Sequence, residues 1–267
     1  MGNQTTKKSR LREAGSGGKL ASMTRLERIL IGIAVFAVLV VGYVYFFGSA
    51  TMLTVMSRRM GHKYPYIEIV PVGLPDTSVA NVQVKREKAF GYEFEVPWDD
   101  LDEAQTVVGE KAARFKSRSN RWTLGIMQGG PKELVHSLTT KPNNNAVLYG
   151  DALKSDFALR QAIYRTTPSQ IKLWTPRNVA VRDMSYLIMK GIMMTSGSET
   201  GMFEVASGAM KGYQMGDPAL SKKVNVEISD DVGEISFVFQ QDERGRITQA
   251  ELNRVIQSVR RVETSAK

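Results

Sequence analysis

The sequence contains no cysteine and only two histidines, His62 and His136. Without cysteine, the chain can form no disulfide, no thiol nucleophile and no zinc site built from thiolates. Two histidines are too few for a multi-histidine metal site within one chain, and a lone histidine such as His136 is typical of a structural residue. A folded domain of this chain must therefore be stabilised by its apolar core alone.

Common enzyme signatures are missing as well. The sequence has no glycine-rich phosphate-binding loop and no zinc-binding motif, and its serines lack a plausible accompanying histidine and acid. We therefore predict no catalytic residue, no cofactor-binding residue and no metal ligand.

The net charge of +9 is unevenly distributed along the 267 residues. The first 28 residues contain seven lysines or arginines and two glutamates, so this segment alone carries a net charge of +5. Membrane topology and attraction to anionic lipid account for a basic segment beside an apolar run. We therefore predict that the chain does not bind nucleic acid.

An apolar run of nineteen residues, Ile29 to Phe47, contains neither charge nor proline. As a helix it would extend roughly 28 Å, close to the ~30 Å hydrocarbon thickness of a bilayer. We predict a disordered tail over residues 1–23 and a transmembrane helix over residues 24–47, in contact with membrane lipid through residues 29–47.

Basic residues are more numerous before this run than after it. The positive-inside rule then predicts a cytoplasmic N-terminus and an extracytoplasmic C-terminal domain, with a bacterial inner membrane favoured. A cleaved secretory signal is the alternative, because Gly48, Ser49 and Ala50 are small residues suited to a peptidase. The apolar run exceeds the usual length of a signal core, about 7 to 15 residues, which favours a retained anchor.

Beyond the apolar run, we predict a juxtamembrane segment and proline-containing linker over residues 48–81, an α+β domain over residues 82–262 and a tail over residues 263–267. Alternation of apolar residues and turn residues predicts the strands, while helical spacing and caps predict the helices. The strands are expected over residues 90–98, 112–117, 121–128, 202–206, 209–215, 222–228 and 234–241, and the helices over residues 131–138, 155–165, 183–194 and 248–261, with a further short helix after Thr167.

Three other groups of residues suggest chemistry of their own. An acidic cluster follows the first predicted strand, and paired carboxylates can perform acid–base chemistry or bind calcium, although we favour a solvated turn or helix start over a metal site. A methionine-rich segment offers soft sulfur ligands for Cu(I), although methionine also fills uneven cores. The acidic cluster comprises Asp99, Asp100, Asp102 and Glu103, and the methionines are Met184, Met189, Met193, Met194, Met202, Met210 and Met215.

The third group aligns residues 240–251 with a calcium-binding EF-hand loop. Gly245 and Glu251 occupy the expected positions, but Gln240 stands at the first ligand position and a predicted strand precedes the loop. A capping box formed by Thr248 and Glu251 explains the same residues, and we favour it.

The opening strand GYEFEVPW and the closing segment VNVEISDDVGEISFVFQQDERGRITQAELNRVI give the predicted domain a layout that resembles the PsbP-like α/β/α sandwich. The resemblance implies an extrinsic binding or assembly factor and carries over no functional residue. We therefore predict a non-enzymatic envelope protein that binds another membrane or envelope protein. A hydrolase using the acidic cluster and a copper-handling protein using the methionines are the alternatives.

Overall fold

The computed structural model describes residues 25–74, 78–81, 83–130, 132–140, 145–194, 198–242 and 245–262. The chain divides after Gly48 into two compact units, of which the second contains all the strands found among these residues. The predicted tails over residues 1–23 and 263–267 lie outside the described residues.

The first helix, α1, covers Arg25–Lys63. In the first unit its large apolar side chains from Ile29 to Tyr45 are exposed on every side of the helix. No single helix among the described residues is long and apolar enough to cross a membrane, although Ile29–Tyr45 and Ala50–Lys63 meet that test together as a bent pair, by length and composition only. The transmembrane helix therefore stays a prediction.

The second unit is an α+β fold built on a mixed sheet of eight strands, in the order β1-β7-β8-β9-β10-β6-β5-β4. All neighbouring pairs are antiparallel except β1 with β7, and β7 to β10 form the predicted meander. The strands are β1 (Val72–Gly73), β4 (Val107–Val108), β5 (Ala112–Lys116), β6 (Trp122–Gly129), β7 (Met202–Ser207), β8 (Met210–Met215), β9 (Lys223–Ser229) and β10 (Glu234–Gln241).

One face of this sheet is covered across most of its width. The cover consists of a small antiparallel sheet, β2 (Lys85–Ala89), β3 (Tyr92–Val96) and β11 (Arg260–Arg261), together with helix α6 (Gln249–Ser258). Alternate residues of β6, β9 and β10 pack there against Phe94 of β3 and Leu252 of α6 in the largest apolar cluster. Because successive strand residues point to opposite faces of a sheet, the remaining side chains of these strands lie on its other face.

Helices cover only part of that other side. They are α2 (Glu133–Thr139), α3 (Asn145–Tyr149), α4 (Asp156–Arg165) and α5 (Arg177–Met193). Tyr213 and Met215 of β8 pack there among Leu159, Ile163 and Tyr164 of α4 in a second cluster. A third cluster joins α5 to the part of α1 that belongs to the second unit, through Ala50, Met184 and Leu187.

The sequence predictions were right about most elements and wrong at several ends. Phe90 was assigned to a strand, but Phe90 and Gly91 have φ angles of 55° and 76° and form the tight turn between β2 and β3, a geometry that suits a two-residue hairpin. Helix α6 ends at Ser258 rather than Arg261, because Arg260 and Arg261 pair with β3. Helix α5 starts six residues before the predicted Asp183 and is not buried all round, since Ile192 is 77% exposed.

Gly212 on β8 is the glycine that the sheet most clearly requires. A Cβ at this position would overlap the main-chain carbonyl of Glu227 on β9. We expect Gly212→Ala to lower the free energy of unfolding by about 2 kcal/mol or more, because the two central strands would have to separate. Urea unfolding, compared with that of the parent chain, measures this loss.

Gly125→Ala is the matched control in β6. A Cβ there would lie at an ordinary contact distance of 3.6 Å from Val238. Glycine inside a strand is entropically unfavourable by roughly 0.5–1 kcal/mol, so this variant should be as stable as the parent or slightly more so. Equal losses in the two variants would contradict the requirement at Gly212.

Candidate functional site

Half of one face of the large sheet is left open by the described helices. On this face, residues of β5, β6 and β10 point away from the main core, and Met127 is 50% exposed. The register brings these side chains into neighbouring rows, because Met127 pairs with Ser236 and Gly125 pairs with both Val238 and Arg114. We call this surface the open sheet face, defined by Arg114, Thr123, Met127, Val238 and Gln240.

An ion-pair network marks the border between the open and the covered halves of this face. Arg160 of α4 donates from one guanidinium nitrogen to Glu227 of β9 and from the other to Glu234 of β10, the second contact at 2.7 Å. Only 11–20% of each of these three side chains is exposed. Glu234 also accepts a hydrogen bond of 3.2 Å from Ser236.

Burial and charge act against each other within this network. Burial lowers the pKa of Arg160, but the carboxylates of Glu227 and Glu234 outweigh it, and the net pKa lies above the ordinary value. Burial raises the pKa of Glu227, an effect that Arg160 opposes and Glu234 reinforces. Because both guanidinium NH2 groups are engaged by carboxylates, Arg160 holds the two strands to the helix rather than offering a receptor for an anion.

A groove of about 460 Å³ runs along this border. The network forms one wall, and Met127, Leu134 and Ser137 contribute to the rest. Helix α2 is held at the rim by Asp156 of α4, whose carboxylate accepts hydrogen bonds of 3.1 and 2.9 Å from the main-chain amides of Leu134 and Val135. Glu133 also lines the groove, so its three carboxylates outnumber the one guanidinium of Arg160. A lining that joins apolar surface to an excess of acidic groups suits a side chain with an apolar stem and a polar or basic end.

The acidic cluster predicted from the sequence does not form a cleft. Asp102 accepts from the amide of Ala104 at 3.1 Å and so caps a short 3-10 helix, Glu103–Gln105. Asp100 accepts from the hydroxyl of Ser119 at 2.6 Å and from the indole of Trp122 at 3.3 Å. Asp99 is exposed. Asp102 thus closes a local turn, as the solvated-turn interpretation describes, whereas Asp100 joins its loop to the hairpin of β5 and β6.

The seven methionines from Met184 to Met215 are divided among all three apolar clusters. Met210 belongs to the largest cluster and Met184 to the third, while the other five belong to the second. Their side chains thus fill gaps between aliphatic and aromatic residues, as core methionines do.

The region that aligned with a calcium loop is organised by hydrogen bonds of the chain itself. Thr248 and Glu251 form the predicted capping box of α6, with the Glu251 carboxylate accepting from the Thr248 amide at 2.7 Å. Gln241 donates to the carbonyls of Pro218 and Ser221 and accepts from the amide of Ile247. Among the described residues, no group of three or more His, Asp or Glu side chains is placed to hold a metal ion, and His136 is exposed on α2.

A fully buried lysine, Lys190, lies on α5. Its ammonium group donates to the carbonyl of Thr166 at the end of α4, at 3.0 Å. Burial lowers the pKa of Lys190 to about 8, and Glu68 opposes this shift. A perturbed lysine is a common catalytic group, but this side chain is fully buried and donates to a main-chain carbonyl.

The sequence predictions missed Arg160, Glu227, Glu234 and Lys190, because each lies in an element whose pattern is explained by helix or strand periodicity. The sequence did contain a signal for Lys190. Residues three and four positions apart share one face of a helix, so the buried Leu187 and Tyr186 place Lys190 on the interior face of α5. No local pattern connects Arg160 with strands that follow it by more than sixty residues.

Removing Arg160 should destabilise the protein more at high pH than at low pH. Arg160→Met leaves the buried Glu227 and Glu234 without their cation, which costs about 3–5 kcal/mol for a buried pair. The pKa of Glu227 in the folded state is already above its ordinary value, so the folded state binds the extra proton and regains stability as the pH falls from 8 towards 5.

Urea unfolding at the two pH values measures this effect. Arg165→Met is the matched control, because Arg165 on the same helix pairs with Glu204 at 2.7 Å but is more than half exposed, and should change stability by less than about 1 kcal/mol. A pH-independent loss in Arg160→Met would show that lost packing, rather than unpaired charge, is responsible.

Lys190→Met should abolish a pH-dependent part of the stability. With a pKa of about 8 in the folded state and 10.5 in the unfolded state, the unfolded chain binds more protons between these values, so stability rises with pH across this window. The rise attributable to Lys190 is on the order of 3 kcal/mol and is absent below pH 8. The difference between the unfolding curves of the parent and Lys190→Met from pH 7 to 10 measures it, and identical pH slopes would refute the assignment.

No protein-family model matches the chain, and no curated protein matches it. The exposed apolar helix of the first unit, the open sheet face and the ion-pair network at its border are therefore the features from which we infer a function.

Proposed function

We propose that the chain is a single-pass membrane protein whose extracytoplasmic α+β domain binds another membrane or envelope protein, without catalysing a reaction. One observation carries the proposal: the large apolar side chains from Ile29 to Tyr45 are exposed on every side of the helix. Such a surface is unfavourable in water at about 25 cal/mol per Å², and lipid covers it on all sides at once. The bias of basic residues towards the N-terminal flank supports a cytoplasmic N-terminus.

The open sheet face is the proposed binding surface. It combines a half-exposed methionine, the aliphatic Val238 and the polar Thr123 and Gln240 with the basic Arg114 at one side, and the acidic groove lies at the other. A core of apolar contacts with charged groups at the rim is typical of protein interfaces. The resemblance to the PsbP-like sandwich also supports a binding or assembly role. This support comes from the order of the elements alone.

Membrane anchoring is tested by extraction and by topology. We expect the full chain to stay in the membrane pellet after alkaline carbonate treatment, and a phosphatase fused to its C-terminus to be active outside the cytoplasm. Release by carbonate, or a C-terminal reporter that functions only in the cytoplasm, would overturn the proposal. A mature product that begins near Thr51 would instead support the cleaved signal.

Partner binding is tested by photocrosslinking in cells. A photoreactive amino acid at Met127 should give a discrete crosslinked band at native expression, and Arg114→Glu should weaken this band because it reverses the charge beside the contact. The matched control is the same photoreactive residue at Val232, which is similarly exposed but lies in the loop between β9 and β10. Equal yields at the two positions, or no band at Met127, would argue against the open sheet face as the partner site.

A further inference from the structure

A second surface of the domain lies where α1 meets the turn before α5. Ser57 donates to the carbonyl of Pro168 at 3.3 Å, and Gly61 leaves space that Pro168 occupies. These contacts fix a groove of about 380 Å³ between α1 and residues 168–174. We call five of the exposed residues that line this groove the interfacial patch: Arg58, His62, Lys172, Leu173 and Trp174.

The turn from Lys172 to Thr175 projects apolar side chains into solvent. Trp174 is 70% exposed and Leu173 is 41% exposed. The turn is closed on itself, because the amide of Lys172 donates to the Thr175 hydroxyl at 2.8 Å and the amide of Thr175 donates to the Lys172 carbonyl at 2.9 Å. A fixed turn that exposes tryptophan and leucine together is costly in water and suits the boundary between water and lipid, where tryptophan is enriched.

The charges around the patch favour an anionic surface. Arg58 and Lys172 line the groove, and Glu68 is the acidic residue among its lining residues. Lys172 lies 5.6 Å from the centre of the Trp174 ring, so its ammonium group stays beside the indole. Arg59 and Lys63, both exposed, add two further positive charges on the same stretch of α1.

The exposed side chains of α1 change in character along the helix. Met52, Val55 and Met56 are exposed and apolar, and the exposed residues that follow are Arg58, Arg59, His62 and Lys63. An apolar stretch followed by basic residues matches the sequence of environments from hydrocarbon to headgroups.

We propose that the interfacial patch docks the domain on the surface of an anionic phospholipid bilayer. The indole of Trp174 and the side chain of Leu173 enter the interface, while Arg58 and Lys172 contact headgroup phosphates. This inference rests on the proposed membrane anchoring and adds a second, reversible contact with the same bilayer.

Trp174 provides a reporter for the test. The other two tryptophans, Trp98 and Trp122, stack on each other with ring centres 3.7 Å apart, and Trp122 is buried. The full chain is reconstituted into phosphatidylcholine vesicles with or without about 30% phosphatidylglycerol, a composition that supplies a negative surface potential. The emission of Trp174, obtained by subtracting Trp174→Phe, is then measured with lipids brominated near the headgroup and with aqueous iodide.

We expect brominated lipids to quench Trp174 in vesicles that contain phosphatidylglycerol, and iodide to reach it only in pure phosphatidylcholine. Arg58→Glu and Lys172→Glu should each reduce the ratio of docked to undocked domain about fivefold or more, and raising the salt to about 1 M should have a similar effect. Lys111→Glu, a charge reversal at an exposed lysine outside the patch, is the matched control and should leave the ratio unchanged.

Two results would overturn docking while leaving the anchor intact. The first is a carbonate-resistant chain whose Trp174 remains open to iodide in both kinds of vesicle. The second is equal quenching in both kinds, which would exclude recognition of anionic lipid. Protection of Trp174 in native membranes but in neither purified vesicle would assign the patch to a protein partner and also refute the proposal. Failure of the chain to remain with any vesicle would contradict membrane anchoring itself.

Discussion

The domain depends on a row of side chains that crosses the large sheet from β8 to β6, in the order Tyr213, Glu227, Ser236 and Met127. The row begins under α4, where Tyr213 is fully buried, and ends at Met127, which faces outward. Glu227 stands where the helical cover stops. Because the register cannot slip without turning apolar residues outward, the position of this border is set by strand pairing, and the ion pairs with Arg160 are built around it.

Arg160 and Lys190 illustrate two ways of holding a cation inside the domain. Arg160 keeps its charge by pairing with two carboxylates from neighbouring strands. Lys190 donates to a main-chain carbonyl, which carries no full negative charge, so burial lowers its affinity for the proton instead. The first arrangement joins helix to sheet, and the second joins the end of α4 to α5. Both contacts fix the position of α4, one against the sheet and the other against α5.

Local chemistry decided which parts of the fold were predictable. The alternation of Ile235, Phe237 and Phe239 correctly placed β10, and the pairing of Thr248 with Glu251 correctly placed the start of α6. Phe90 misled the same method, because its apolar side chain continued an alternating pattern while its backbone turned. The acidic residues near Asp100 suggested a catalytic or metal site. In the structure Asp100 and Asp102 accept hydrogen bonds from a hydroxyl and an amide of the chain, and composition does not reveal these partners.

The open sheet face and its bordering groove could not be predicted from sequence patterns, for a different reason. Strand periodicity predicts two faces for β6 but not which neighbour covers each face, since that depends on helices from other parts of the chain. Asp156 is an example, because it follows the N-cap residue Ser155 at the start of α4. Its carboxylate nevertheless accepts hydrogen bonds from main-chain amides at the start of α2. The open half of the sheet thus emerges only when α2 and α4 are placed.

The order of the elements has a consequence for biosynthesis. Tyr92 and Phe94 of β3 are among the first residues of the domain to be made, but the surfaces that enclose them come from α6 and from β11, about 160 residues later. A polypeptide emerging from a ribosome or a translocation channel therefore holds an unfinished interior until residue 261 is free. Packing around Tyr92 and Phe94 is therefore completed only after α6 and β11 have been synthesised.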